Sequence, residues 1–546
     1  MSNTAIIPDP YEAGLARGWK IVDGARLDAD RTLDADVVIV GSGAGGGVTA
    51  EILALSGLSV IVVEEGALKS SHDFRMREAD AYPTLYQESA ARKTRDKGIN
   101  ILQGRTVGGS TTVNWTSSFR TPPSTLAFWQ AQYGLSTYSE AALAPWFALM
   151  EARLHVADWT GAPNENNDVL RRGAQKLGIP TGLIRRNVNG CWNLGYCGMG
   201  CPTNAKQSML VTTIPSALDH GATLVTRARA ERLLLAGGRV DGVDCTLLDA
   251  AGIAPTGRRL RVRARHTVLA GGAINTPALL LRSHAPDPSG QLGKRTFLHP
   301  TLVSAALFPQ RVEGYAGAPQ TVYSDHFLHT QPIDGPLGYK LEAPPLHPVL
   351  LATTMQGFGR EHAAMMRQFP HLQGMLALLR DGFHAESRGG TVGLNAEGTP
   401  VLDYPLDDPV WDGARRALLT MAEIQFAAGA TGVQTAHERA PRYASWREAR
   451  AGIAALPFEK HATRVVSAHV MGGCAMGGGD AGVTGPDGRY RGLDNLSVHD
   501  GSLFPTSIGA NPQLSIYGIT ARLASDLAQA LTGRPAARPQ APAAAA

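Results

Sequence analysis

At 546 residues the chain exceeds what one hydrophobic core organises, so two domains are expected. Its 44% hydrophobic and 18% charged residues are those of a globular protein, and a net charge of +4 without any basic block argues against nucleic-acid binding. Five cysteines in this length exclude a disulfide scaffold, and no run reaches the roughly 18 apolar residues of a membrane span.

The first 30 residues read as a leader covering part of the first domain. Their start, MSNTAIIPDPYEAGLARGWK, lacks a basic stretch followed by an apolar one, so no secretory signal is expected. With the cysteine usage this favours a reducing, cytoplasmic setting, with peripheral attachment to the inner membrane left open. Residues 36–66 then carry the strongest pattern in the chain. Val37, Val38, Ile39 and Val40 form a short apolar run bounded by glycine, as in a strand buried on both faces. Gly41-Ser42-Gly43-Ala44-Gly45-Gly46 follows. Gly41 permits the tight turn, Gly43 lets backbone approach a pyrophosphate, and Gly46 lets a helix pack on the strand. That helix, over about 47–56, aims its free N–H groups at the phosphates. A strand over 59–63 ends in Glu64, 23 positions beyond Gly41, where a carboxylate accepts the ribose hydroxyls of an adenosine. Strand, glycines, helix, strand and acid in order predict a dinucleotide-binding unit.

Residues 70–103 are polar and mixed. GRTVGGSTTVNW, 104–115, presses small residues and Asn114 against something flat or charged, and its place after a dinucleotide fold suggests a second cofactor contact. STYSEAALAPWFALMEARL is helical, with Ser139 as its cap. Cys191, Cys197 and Cys201 stand at C-x5-C-x3-C spacing. Without CxxC pairs or a fourth clustered ligand, packed thiols are favoured over a metal site. A helix over 208–218 follows, then a hairpin turning at Gly237-Gly238, a strand over 260–271, and a glycine turn with a helix. From 300 to 460 prolines cluster and loops lengthen. Two strands around the Asn395–Gly398 turn and the amphipathic RRALLTMAEIQFAAGA read as a second domain on an antiparallel sheet. The tail RPAARPQAPAAAA is expected to be disordered.

Near the C-terminus, His469 sits beside Gly472 and Gly473, glycines that imply close approach to a bulky planar partner. A neutral imidazole accepts a proton near neutral pH. With 16 histidines in the chain, a merely structural role is the ordinary alternative. Asn511 precedes Pro512, which holds it extended, and its amide offers both donor and acceptor just before the last helix. Asp500-Gly501 ends a strand in a similar setting.

Together, the fingerprint with Glu64, GRTVGGSTTVN, VLAGGAINTPALLLRS, AHVMGGCAMG and HDGSLFPTSIGANPQLSIYGITARLASDLA resemble the glucose–methanol–choline (GMC) flavoprotein oxidoreductases. The segments span about residues 36–530. Within that family the chain looks most like the cholesterol oxidase, long-chain alcohol oxidase and membrane sugar dehydrogenase branches. The resemblance implies an α/β fold: a Rossmann-like FAD domain with a mainly parallel sheet (30–120, 191–299 and 461–533) and an α+β substrate domain on an antiparallel sheet (121–190 and 300–460), with 534–546 as tail. It implies bound FAD and oxidation of an alcohol to a carbonyl. Gly41, Gly43, Ala44 and Gly46 would meet the pyrophosphate and Glu64 the ribose. Gly108, Gly109, Ser110 and Asn114 would line the isoalloxazine and ribityl side. Asp500 and Gly501 would hold the ribityl–phosphate end, with Pro512 beside the cofactor. His469 would take the hydroxyl proton while hydride passes to flavin N5, and Asn511 would orient the substrate oxygen. Some relatives tether FAD through a histidine where this chain has Val113, so the expected FAD is non-covalent. Glu342 is a candidate analogue of the glutamate used by steroid-active relatives. The acceptor is dioxygen or a quinone, and the composition of 300–460 favours an apolar or bulky alcohol. Alternatives are an NAD(P)-binding reductase and an electron-transfer subunit of a membrane complex.

Overall fold

In the computed structural model of the chain, residues 7–541 are described. The valine-rich run is the inner end of strand Arg31–Val40, where Val37, Val38 and Ile39 have no exposed surface. Burial on both faces explains why it shows no alternation. It pairs in parallel with Val60–Val63 and with the long strand Pro255–Leu269. The sheet runs Lys20–Asp23, Thr223–Thr226, Val60–Val63, Arg31–Val40, Pro255–Leu269, Arg239–Leu248, Ala228–Ala236, and Leu496–Val498 pairs in parallel with the inner end of Pro255–Leu269. The hairpin at Gly237-Gly238 supplies its antiparallel part. Lys20–Asp23 pairs in parallel with Thr223–Thr226, so the leader contributes a strand as well as covering the domain.

A second sheet runs Ile99–Ile101, Val465–Ser467, Thr301–Leu307, Leu372–Leu379, Tyr339–Glu342, Val322–Ser324, Gly182–Leu183, and Gly432–Thr435 also pairs with Thr301–Leu307. It is antiparallel except where Val465–Ser467 meets Ile99–Ile101. One face carries Leu302, Ala306, Met375, Ala377 and Leu379, which pack with Ala417, Leu418 and Met421 of helix Asp408–Ala427. The other face carries Thr301, Val303, Leu376, Leu378, Lys340 and Glu342, because directly opposed residues point to one side.

The packing redraws the expected segments. Helices Pro123–Tyr133 and Glu140–Arg153 bury Leu126, Trp129, Leu143, Phe147 and Met150 in the core of the first sheet, not the second. Of 121–190, helix Glu165–Lys176, Ile179 and strand Gly182–Leu183 join the second unit, through Val169, Leu170 and the pairing with Val322–Ser324. Conversely, 99–101 and 465–467, expected in the first domain, are strands of the second sheet. Short strands crossing between units carry no local mark of which sheet they join. Residues 534–541 have no regular secondary structure, yet Ala537 N donates to Ser56 Oγ at 3.1 Å and Arg538 lies over Trp146 at 5.7 Å. That part of the expected disordered tail rests on the first unit, while residues 542–546 fall outside the described residues.

Candidate active site

A cavity of about 680 Å³ opens at the C-terminal ends of the central parallel strands, where Val40, Val63 and Leu269 hand over to turns. Gly41 has φ +101°, and a Cβ there would stand 2.4 Å from Ala270 O. Helix Ala44–Leu55 starts three residues earlier than expected, with Gly43 as its N-cap and no side-chain cap. A Cβ on Gly43 would meet nothing closer than Gly109 Cα at 3.8 Å, so its bare side belongs to the cavity. Ala44 also lines it. Gly46 does not line the cavity: a Cβ there would lie 1.9 Å from Gly41 O, so its work is helix-to-strand packing. Gly108 is likewise off the cavity wall, with φ +86° and its N donating to Ser42 Oγ at 3.0 Å. Gly109 and Ser110 do line it.

Glu64 reaches the cavity from the second strand. Ser42 N and Oγ donate to its Oε2 at 3.1 and 2.6 Å, and Gly66 N to its Oε1 at 2.8 Å. Burial raises its pKa against the pull of these donors. Asp500 also borders the cavity, and like Glu64 its carboxylate accepts from three protein donors. Gly272 N (2.8 Å) and Thr276 Oγ1 (2.7 Å) reach Oδ2, and Ser502 N (2.8 Å) reaches Oδ1. It fixes the turn through Gly501, which faces the cavity with Pro512. Asn114 Nδ2 donates to Gln513 Oε1 at 2.6 Å, tying the glycine loop to the last helix.

The unpaired N–H groups at Gly43–Gly45, the bare glycine faces, and a carboxylate 22 residues beyond Ser42 fit a dinucleotide's phosphates and ribose. The shape and donor set of the cavity therefore match FAD.

His469 and Asn511 border the same cavity. His469 Nδ1 lies 3.0 Å from Nδ1 of His299, so one proton serves the pair. His469 Nε2 makes no hydrogen bond among the described residues, while His299 Nε2 is buried without a partner. Burial, then the Lys340 ammonium, push the His469 pKa down to about 3. The imidazole is therefore neutral across the physiological range. Asn511 is 4% exposed and held on both amide atoms: Lys340 Nζ donates to Oδ1 at 3.0 Å, and Nδ2 donates to Glu342 Oε2 at 3.3 Å. One Nδ2 hydrogen remains unused. Lys340 and Glu342 form an ion pair at 2.9 Å, both essentially without exposure. Gln320 Nε2 donates to Glu342 Oε2 at 2.7 Å, and the ammonium sits 3.0 Å over the Phe119 ring. Burial pulls Lys340 to about 8 against the opposing pull of Glu342.

Glu342, whose alignment was open from sequence, is thus bonded to Asn511. Sequence reading missed His299, Lys340, Gln320 and Gln513. One signal existed: Lys340 and Glu342 stand two apart in YKLE, a strand otherwise apolar, which puts opposite charges on one face. The thiols of Cys191, Cys197 and Cys201 are free, and among the described residues the one grouping of metal-type ligands is Asp9, Glu12 and His72. No helix of the described residues is long and apolar enough to cross a membrane.

Residues 82–301 match the N-terminal GMC oxidoreductase profile and 385–520 the C-terminal one. The chain is 27% identical to long-chain-alcohol oxidase FAO1 of Arabidopsis thaliana over 95% of its own length and 70% of that protein. It is 32% identical to an uncharacterized GMC-type oxidoreductase of Mycobacterium tuberculosis, over 96% and 82%. Among solved structures, a formate oxidase superposes with TM-score 0.66 at 15% identity over 92% of this chain and 99% of that one. A pyridoxine 4-oxidase from Mesorbium loti does so at 0.63 and 19%, over 90% and 98%. Profile matches on both halves and a 32% identity along nearly the whole chain agree with the cavity built above: the chain belongs to the GMC oxidoreductase family of FAD-dependent flavoproteins.

Proposed function

We propose that the protein oxidises an alcohol to the aldehyde or ketone, with His469 as the base and non-covalently held FAD. When bound, FAD supplies the hydride acceptor at N5. Gly41, Gly43, Ala44 and the helix behind them would hold its pyrophosphate, Glu64 its ribose, and Gly109, Ser110 and Asn114 its ribityl–isoalloxazine side. Val113 offers no nucleophile for a covalent tether. Dioxygen or a quinone is the electron acceptor.

The observation that carries this reading is that His469 and Asn511 open on the cavity the glycine fingerprint lines. With the shared proton on His469 Nδ1, donated to His299, the lone pair of His469 Nε2 is left to take the hydroxyl proton. Removing that proton makes the carbinol C–H a better hydride donor. The unused Nδ2 hydrogen of Asn511 suits the substrate oxygen, and its strength as a donor rises because Oδ1 accepts from an ammonium.

The apolar reading of the substrate rests on the side chains near Glu342. On the same sheet face, Glu342 stands opposite Leu376 and Leu376 opposite Val303. That row runs into a separate apolar cluster with Ala305, Leu346, Leu351 and Met355, roofed by helices Pro348–Thr354 and Gly359–Arg367.

The test is stopped-flow flavin reduction by a primary alcohol. His469→Ala should retain FAD, verified by spectrum, and reduce it about 10²–10⁴-fold more slowly. Asn511→Ala should also slow it, with a double loss smaller than the product of the two. Reduction of the His469→Ala flavin at the parent rate would move the base elsewhere.

A further inference from the structure

A second cavity, about 210 Å³, lies behind the wall that carries Asn511. Ile508, Gly509 and Ala510 line one side, and Lys340 and Arg380 supply buried cations. The other cations that line this cavity, Arg120 and Lys340, have counter-charges, and one carboxylate, Asp325, lines it as well. Arg120 is bidentate on Glu151 at 2.8 and 2.7 Å, His329 lies 3.8 Å from Asp325, and Lys340 pairs with Glu342.

Arg380 has none. The residue is 4% exposed, its Nε is buried without a partner, and no ion pair involves it among the described residues. Burial alone draws its pKa down, to about 10, so it stays cationic at neutral pH. The adjacent Asp381 does not serve it: that carboxylate accepts from Leu298 N, His299 N and the Tyr404 hydroxyl. The guanidinium lies 5.3 Å over the Phe383 ring, and a Cβ on Gly509 would touch Arg380 Cδ at 2.9 Å, so the side chain is held from two sides.

A buried cation without a partner is costly, and a guanidinium fork is best matched by a planar oxyanion. We propose that this second cavity binds a small carboxylate or comparable oxyanion on Arg380, with the Lys340 ammonium as its inner wall. Because Lys340 also donates to Asn511 Oδ1, the occupant shares a cation with the oxygen-orienting amide. A free anion and the far end of a carboxylate-bearing substrate present the same chemistry.

Holoenzyme is titrated with sodium acetate at ionic strength fixed with sodium chloride. The expected result is a saturable rise in Tm of about 2 °C at a hundredfold excess over Kd. Arg380→Gln should abolish it and Arg380→Lys should weaken it. If Arg380→Gln does not fold, parent crystals soaked in sodium selenate serve instead, with an anomalous peak expected within hydrogen-bond reach of Arg380. The ratio of kcat/KM for an ω-hydroxy acid to that for the matching alcohol separates the sources. Arg380→Gln lowers the ratio if the carboxylate belongs to the substrate, and leaves it unchanged if the anion is free. Equal Tm responses in parent and Arg380→Gln, or no selenate peak at Arg380, would overturn the proposal.

Discussion

Glu342→Gln isolates the charge that keeps Lys340 protonated. Unit charges 2.9 Å apart attract by about 6 kcal/mol at an effective dielectric of about 20. At 1.36 kcal/mol per pH unit this is worth about 4 pH units. Lys340, at about 8 with its partner, should then be neutral at pH 7 without it. Its folded pKa lies below the unfolded 10.5, so the folded state carries a penalty at neutral pH that is relieved as pH rises from about 8 to 10.5. At pH 7 that penalty is about 3 kcal/mol, and it cannot exceed about 5, the cost of removing the proton outright. Through Lys340, the variant should therefore lose only about 1–2 kcal/mol of stability, well short of the roughly 3–5 expected for a broken buried pair whose survivor stays charged. The catalytic effect follows from the same proton. A neutral amine donates more weakly to Asn511 Oδ1, and the difference between a charged and a neutral hydrogen bond, about 1–1.5 kcal/mol, slows flavin reduction about tenfold. The assay is flavin reduction against pH on fully loaded enzyme, with urea unfolding alongside. The parent should hold its rate from about pH 6 and fall above about 8, because His469 is already neutral there and Lys340 is not. In Glu342→Gln that fall should move below pH 7. A falling limb unmoved by the substitution, or a parent profile rising through pH 6.5, would refute the reasoning.

Acid precipitation of the holoenzyme should leave the yellow colour in the supernatant, and flavin retained in the pellet would mean a covalent tether. Elemental analysis of chelator-washed protein should find no stoichiometric zinc or iron at Cys191, Cys197 and Cys201, and a stoichiometric metal there would overturn the reading of packed thiols. Along a series of primary alcohols, kcat/KM should rise about fourfold per added CH2 while the chain enters the Val303–Leu376 cluster, about 0.8 kcal/mol each. A flat series would remove that cluster from the substrate path.

What the sequence by itself determined is what local rules govern. The turn at Gly41, the bare approach at Gly43, Glu64 after a buried strand, and Asn511 fixed by Pro512 all lie within short stretches whose geometry their own residues dictate. His469 is a candidate because Gly472 and Gly473 stand three and four positions after it. Tertiary structure decided everything that depends on a partner far along the chain. Asp500 borders the cavity, yet the groups that orient its carboxylate, Gly272, Thr276 and Ser502, lie more than 200 residues away in two of the three cases. Glycine spacing assigned Gly43 to a phosphate approach and Gly46 to helix packing, but only the fold shows what Gly46 packs on, the Gly41 carbonyl. The pairing of His469 with His299, the seating of Asn511 between Lys340 and Glu342, and the uncompensated Arg380 each require two sheets to bring distant strands to one place. Hydrogen bonds and ion pairs act over a few ångströms, and only the assembled fold sets those distances.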